Sequence, residues 1–305
     1  DNTAPVFALD VGYLGGMYAG HIFLVGSEQG LGVRQDGTLQ AAEQLTLDSN
    51  GLLTNRGKIT APELAISAQA LTNTNTNTSS GLIDGQTVIL HSPSIENLGD
   101  ARIYGDHLVL QADSLINAGQ TLNNVTHAPV IAARNAMTLG VGTLDNRDGA
   151  LIVSGGDLSL GRTVQSTVDP TTGQTRYTTT GVATRVNNDS ATIDVLGYVF
   201  IQAITLANRN THLQMDQVPE APFSVQRIQP AGSNAIYLSS QCRHPWAVFG
   251  FSLEFVCTAQ GQQQSFEDYT EYNLTGTPSR SQVVSSQPAV LRVGGNFNLN
   301  GDGSV

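Results

Sequence analysis

Apolar residues recur along this chain as pairs separated by one position: Leu45 and Leu47, Leu64 and Ile66, Val88 and Leu90, Leu108 and Leu110, Met137 and Leu139, Leu158 and Leu160. A phrase follows each complete pair: Leu or Ile, an Asn two or three residues on, often Gly, then Ile or Leu. The first copy reads Leu52, Asn55, Gly57, Ile59 and the second Leu71, Asn73, Gly81, Ile83. The third is Ile95, Asn97, Gly99, Ile103; the fourth, with a longer loop, is Leu115, Asn117, Gly119, Ile131. A fifth is Leu144, Asn146, Gly149, Ile152. The pattern breaks off after Leu160, resumes at Val199, Ile201, Leu206, Asn208 and Leu213, and returns at Phe297 and Leu299.

The first apolar positions of the unbroken run lie 19, 24, 20, 29 and 21 residues apart. A period of two marks a short, half-buried strand, and Asn and Gly between the strands suit tight or left-handed corners. Roughly twenty residues holding two or three such strands is the size of one coil of a parallel β-helix. The predicted fold is therefore all-β, a right-handed parallel β-helix (solenoid) with coils stacked about 4.8 Å apart. Leu and Ile would point inward, and Asn at equivalent corners could form a side-chain ladder. A β-sandwich gives no reason for the phrase to recur.

Two segments depart from the rhythm. Residues 161–192, rich in Thr, Gly, Asn and Asp and holding Tyr177, read as a long hairpin or loop inserted into one coil. Residues 214–288 hold nine of the eighteen aromatics, whereas residues 24–176 hold only Tyr104, so the shift marks an inserted aromatic-rich subdomain. The predicted organisation is 1–37, then coils over 38–213, the insert over 214–288, and renewed repeats over 289–305. Within the insert, Phe249, Phe251, Leu253 and Phe255 alternate with smaller or polar residues, which predicts a strand with its Phe face packed inside. Cys242 and Cys257 permit one disulfide, worth about 3 kcal/mol for so short a loop; two unpaired thiols would give the same sequence.

Charge narrows the function classes. The net charge is −11 and Lys58 is the lone lysine, so no clustered basic face for nucleic acid is expected. No apolar run reaches the ~18 residues of a membrane-spanning helix. The histidines at 21, 91, 107, 127, 212 and 244 are not at zinc-site spacing, and Asn300-Gly301-Asp302-Gly303-Ser304 lacks the bidentate Glu of a calcium loop. No cofactor or metal is expected. Some β-helices cleave polysaccharides with grouped carboxylates; the best such group, Asp145 and Asp148 around Asn146 and Arg147, falls where a corner repeats. No nucleophile triad, phosphate loop or HExxH occurs, so a non-enzymatic role is expected. The chain opens in mid-pattern at Asp1-Asn2-Thr3-Ala4-Pro5, which reads as a piece of a longer protein.

The opening residues also carry a resemblance. "FALDVGYLGGMYAGHIFLVGSEQGLGVRQDG" (7–37), through Leu14-Gly15-Gly16-Met17-Tyr18-Ala19, Ile22, Leu24, Gly32-Val33-Arg34 and Gly37, resembles the filamentous-haemagglutinin repeat exoproteins of two-partner secretion. Among these it is most similar to CdiA-type effectors of contact-dependent growth inhibition. Residues 266–301, through Tyr269, Tyr272, Ser285-Ser286, Pro288 and Gly294-Gly295-Asn296 with Leu299, resemble the junction where their second repeat region begins. Glu267, Asp268 and Glu271 stand where that family is richer in Arg. The resemblance implies export through an outer-membrane transporter to the bacterial cell surface, and a stalk region that recognises a receptor on neighbouring bacteria. That receptor would be an outer-membrane protein or lipopolysaccharide, and the acidic balance favours protein loops. Aromatic and Arg side chains dominate interface hot spots, so the candidate receptor contacts are Arg243, His244 and Trp246 beside the cysteine, with Tyr237, Tyr269, Tyr272 and Tyr177. The competing expectation is a structural stalk or adhesin segment with no receptor site of its own.

Overall fold

A computed structural model describes residues 7–76, 78–243 and 255–301. The chain is all-β: apart from one 3-10 turn at Ser239–Gln241, the regular elements among the described residues are strands. It forms two compact units, Asp1–Leu213 with Ser286–Val305, and Gln214–Ser285.

The first unit is built around one 17-stranded sheet whose ladders are parallel. Parallel neighbours cannot be joined by a tight hairpin; the chain needs a dozen or more residues to come back. Here the returning residues are themselves strands, so each repeat contributes to several rows. One row runs in register through Leu45, Leu64, Val88, Leu108, Met137, Leu158, Val199 and Phe297. A second runs through Leu71, Ile95, Leu115, Leu144, Val186 and Leu206. A third is Ile59, Ile83, Ile103, Ile131, Ile152, Ile193 and Leu291. These residues, except the terminal Leu206, Leu291 and Phe297, form one continuous buried core. Each buried side chain stabilises by about 1.5–3 kcal/mol, which is why the apolar phrase can recur with few other constraints.

Two details differ from the sequence pattern. In the second row the residue paired with Leu71 is Leu53, fully buried, while Leu52 is 44% exposed. The register shifts between Ser49 and Leu52, and that extra residue turns Leu53 inward. The expected insertion over 161–192 is also shorter. Thr163–Val168 and Thr175–Thr180 form an antiparallel hairpin, but Ala183–Asp189 and Thr192–Val195 are strands of the main sheet. Ala183, Val186, Ile193 and Val195 are buried there; this repeat carries Val186 where its neighbours carry Leu144 and Leu206, which hides it from the phrase.

Beside the apolar rows runs a row of amides. Asn55, Asn73, Asn97, Asn117, Asn146, Asn188 and Asn208 each occupy the same position in successive repeats. The Nδ2 of each of the first six donates to Oδ1 of the next at 2.7–2.9 Å. The same nitrogens also donate to backbone carbonyls of Leu82, Arg102, Val130, Leu151, Thr192 and Val290 at 2.9–3.2 Å. A buried amide with both donors and an acceptor engaged costs little to desolvate. At the N-terminal end the position aligned with Asn55 is Gln35. Its Nε2 reaches Lys58 O at 3.1 Å, but its buried Oε1 has no partner among the described residues.

Among the described residues of the second unit every strand pair is antiparallel. Gln214–Pro219 pairs with Ser279–Ser285; Phe223–Pro230 pairs with both Tyr237–Leu238 and Tyr269–Gly276; Phe255–Ala259 pairs with both Cys242–Arg243 and Gln262–Phe266. Its small core is Ile228, Tyr237, Phe255 and Cys257, flanked by Phe266 and Tyr269. Cys242 and Cys257 sit opposite each other on paired strands and are joined by a disulfide, so they are not the unpaired thiols that the sequence also allowed.

Candidate functional site

The candidate contacts of the second unit separate into core and surface. Tyr237 is 7% exposed and lies in the core. Its hydroxyl donates to Gln264 Oε1 at 2.6 Å, the usual way a buried phenol is satisfied. Tyr269 is half-buried and stacks on Phe255, ring centroids 4.5 Å apart. Tyr272 is half-buried opposite Arg227 on the paired strand. Arg243 is exposed, on the outer strand opposite Val256. Glu267, Asp268 and Glu271 are all exposed. Tyr269 thus anchors the core, Tyr237 takes no part in the surface, and Arg243 and Tyr272 remain accessible. His244, Trp246 and the alternating Phe249, Phe251 and Leu253 lie outside the described residues. Three arginines that could form a basic pocket, Arg227, Arg243 and Arg280, stand on three different sheets, and Arg280 Nε is 3.8 Å from Glu220.

Tyr177 belongs to the first unit, on the hairpin Thr163–Val168 with Thr175–Thr180. This hairpin lies over the outer face of the main sheet, touching strands Arg102–Ala118, Val130–Arg147 and Asp157–Gly161. Its base is tied down by Arg162 Nη2 to Asp113 Oδ1 at 2.6 Å, Val164 N to Gln111 Oε1 at 2.6 Å, and the Ser159 and Thr179 hydroxyls at 2.6 Å. Its tip is a turn in which Asp169 accepts from the Thr171 and Thr172 amides at 2.7 and 3.2 Å. Those N–H donors hold the Asp169 carboxyl below the usual aspartate range.

Between hairpin and sheet is a groove of about 970 Å³. Its floor includes one file of residues in register across five strands: Glu63, Thr87, His107, Ala136 and Asp157. Each immediately precedes the first apolar residue of its repeat, so reading that column down the aligned copies would have shown the file. The next outward file includes Val109 and Thr138, which alternation points away from the core yet are only 4% and 7% exposed; the hairpin covers them. Partial burial and the charge of Glu63 raise the Tyr177 phenol's pKa above its ordinary value, so the ring carries a neutral O–H.

The carboxylates considered for catalysis are held in structural pairs. Asp145 accepts from Asn187 Nδ2 at 2.8 Å and pairs with Arg185 at 3.2 Å. Asp148 stands in the left-handed region (φ 58°) ahead of Gly149 (φ 82°) and binds Arg147 and His212. A shallower cavity of about 390 Å³ holds Asp84 and the Asp106–Arg134 pair. Desolvation raises the Asp84 pKa, and nearby Arg134 opposes the shift. No group of three or more metal-ligating side chains is gathered among the described residues.

No protein-family model matches the chain, and no solved structure does. Toxin CdiA of Yersinia pestis is 47% identical over 64 residues, 20% of this chain and 2% of that protein. The tRNA nuclease CdiA-2 of Burkholderia pseudomallei is 48% identical over 62 residues, again 20% of this chain and 2% of the relative. The 16S rRNA endonuclease CdiA of Enterobacter cloacae is 30% identical over 169 residues, 55% of this chain and 4% of the relative. The chain therefore spans a few hundredths of the length of the curated relatives it matches, and over the matched parts it is related to CdiA proteins.

Proposed function

We propose that this chain is a receptor-binding segment of an exported, cell-surface exoprotein of contact-dependent growth inhibition. The parallel sheet would wind as a right-handed β-helix of haemagglutinin-type repeats and serve as a shaft, with Gln214–Ser285 as the recognition element. The observation that carries this reading is the interruption itself. An antiparallel, disulfide-closed, aromatic-rich unit with its own core lies in sequence between strands that are neighbours in the parallel sheet, Thr192–Val195 and Val290–Val293. A scaffold with no second task has no use for such a unit, and recognition surfaces are commonly displayed in this way from rigid frames.

Recognition on this reading is by shape and a few anchors, with Arg243 and Tyr272 as the accessible ones and no catalytic step. The exposed Glu267, Asp268 and Glu271 favour basic loops of an outer-membrane protein over phosphorylated lipopolysaccharide. The nuclease activities belong to the relatives' names; this segment would contribute delivery, and export would use the outer-membrane transporter of a two-partner system. The experiment is binding of the purified chain to target bacteria, compared with Arg243→Ala, Tyr272→Ala and a version in which 214–285 is replaced by a short linker. Binding should fall at least ten-fold in the replacement. Unchanged binding by a folded replacement would leave the structural-stalk reading.

A further inference from the structure

We propose that the groove beneath the Thr163–Thr180 hairpin binds an uncharged saccharide chain, a site distinct from the second unit and independent of how that unit is read. The floor file from Glu63 to Asp157 crosses five stacked strands. At about 4.8 Å per step it is roughly 19 Å long, the dimension of an extended oligomer rather than a single small metabolite.

The strands that supply the middle of this floor are hydrogen-bonded on both sides, so they offer no free backbone edge to an incoming peptide strand. Across this floor recognition comes from side chains, and those present are of the kind that grips hydroxyls. Glu63 and Asp157 are acceptors near the two ends of the file, Thr87 is a hydroxyl already within 3.2 Å of Glu63, and His107 between them can donate and accept. On the hairpin side Tyr177 brings a half-buried ring, whose face suits the C–H side of a sugar, and a neutral O–H.

Charge excludes the acidic alternatives. Glu63, Asp157 and Asp169 face one cation, Arg176, in the groove lining. That balance repels phosphorylated, sulfated or uronic sugars and nucleic acid, and leaves neutral hexose or N-acetylhexosamine chains. Lipid is disfavoured by the same polar walls.

The test uses the full chain on an immobilised panel of neutral hexose and N-acetylhexosamine oligosaccharides, with phosphorylated and uronic-acid oligosaccharides alongside. Binding to at least one neutral chain is expected, weakened at least ten-fold by Tyr177→Ala and by His107→Ala and largely kept by Tyr177→Phe. Both substituted side chains are partly or fully exposed, so circular dichroism should be unchanged. Titrating the bound oligosaccharide into isotopically labelled protein should move the amide resonances of Glu63, Thr87, His107 and Asp157. Binding only to charged sugars, binding that survives both alanine substitutions, no binding at all, or shifts confined to other residues would each overturn the proposal.

Discussion

Asn117 Nδ2 donates to Asn146 Oδ1 across 2.8 Å, although 29 residues separate the two in sequence. Both side chains are fully buried, and Asn117 in turn accepts from Asn97 at 2.9 Å. Asn117→Ala would leave the Asn97 donor, the Asn146 acceptor and the Leu151 carbonyl each short of a bond. At about 1–3 kcal/mol for a buried group left unpaired, and with partial relaxation, a loss of about 3–5 kcal/mol is expected. Urea unfolding of the purified chain measures it; a loss below about 1 kcal/mol would mean the row is incidental to stability.

The opposite change is available at the other end. Gln35 aligns with the amide row but is one methylene too long, and its Oε1 is buried without a partner among the described residues. Gln35→Asn should let the side chain donate to Asn55 Oδ1 and raise stability by about 1 kcal/mol. The same unfolding experiment decides it, and a destabilised variant would refute the alignment of side chains.

Two tyrosines of the second unit should part company. Tyr237→Ala empties a core position and removes the bond to Gln264, and should cost about 3–5 kcal/mol, as large-to-small aromatic substitutions do. Tyr272→Ala should cost well under that, with its effect read in binding to target cells. Thermal unfolding and cell binding measured on both variants separate the roles; equal destabilisation would contradict the assignment.

The hairpin tip should respond to acid. Asp169 has a folded-state pKa below its unfolded value because two amides donate to its carboxylate. The turn's stabilisation is therefore fully present above the unfolded value and is lost as the pH falls through the folded one. The Thr171 and Thr172 amide resonances should titrate with a midpoint below the ordinary aspartate value. A midpoint at or above it would remove the two hydrogen bonds from the account. Asp169→Asn should flatten that titration.

The apolar rows were legible because inward and outward positions alternate, and a slip by one residue would turn a whole strand inside out. That logic fails where two leucines adjoin: Leu52 and Leu53 fit the pattern equally, and the extra residue that chooses between them is a backbone event. It fails again at Val186, where Asn188 keeps its place in the amide row but the usual Leu and Gly are missing. The Glu63–Asp157 file was harder to see for another reason: only its column, the position before each first apolar residue, marks it. Its members share no residue type and are joined only by the register of strands up to 29 residues apart. Tyr237 and Tyr272 carry no mark in sequence that sorts them, since which one is buried depends on strands that meet only in the folded unit.

Asn188 donates to Val290 O at 2.9 Å over 102 residues, and Asn210 reaches Ser286 Oγ at 2.8 Å over 76. The exit and the return of the intervening chain are thus stitched together by the sheet's own side chains. What is spliced in there can vary in size, charge and shape without any strand of the sheet needing a new neighbour. On the receptor-binding reading proposed above, adaptation to a partner would thereby be uncoupled from the demands of holding the repeats in line.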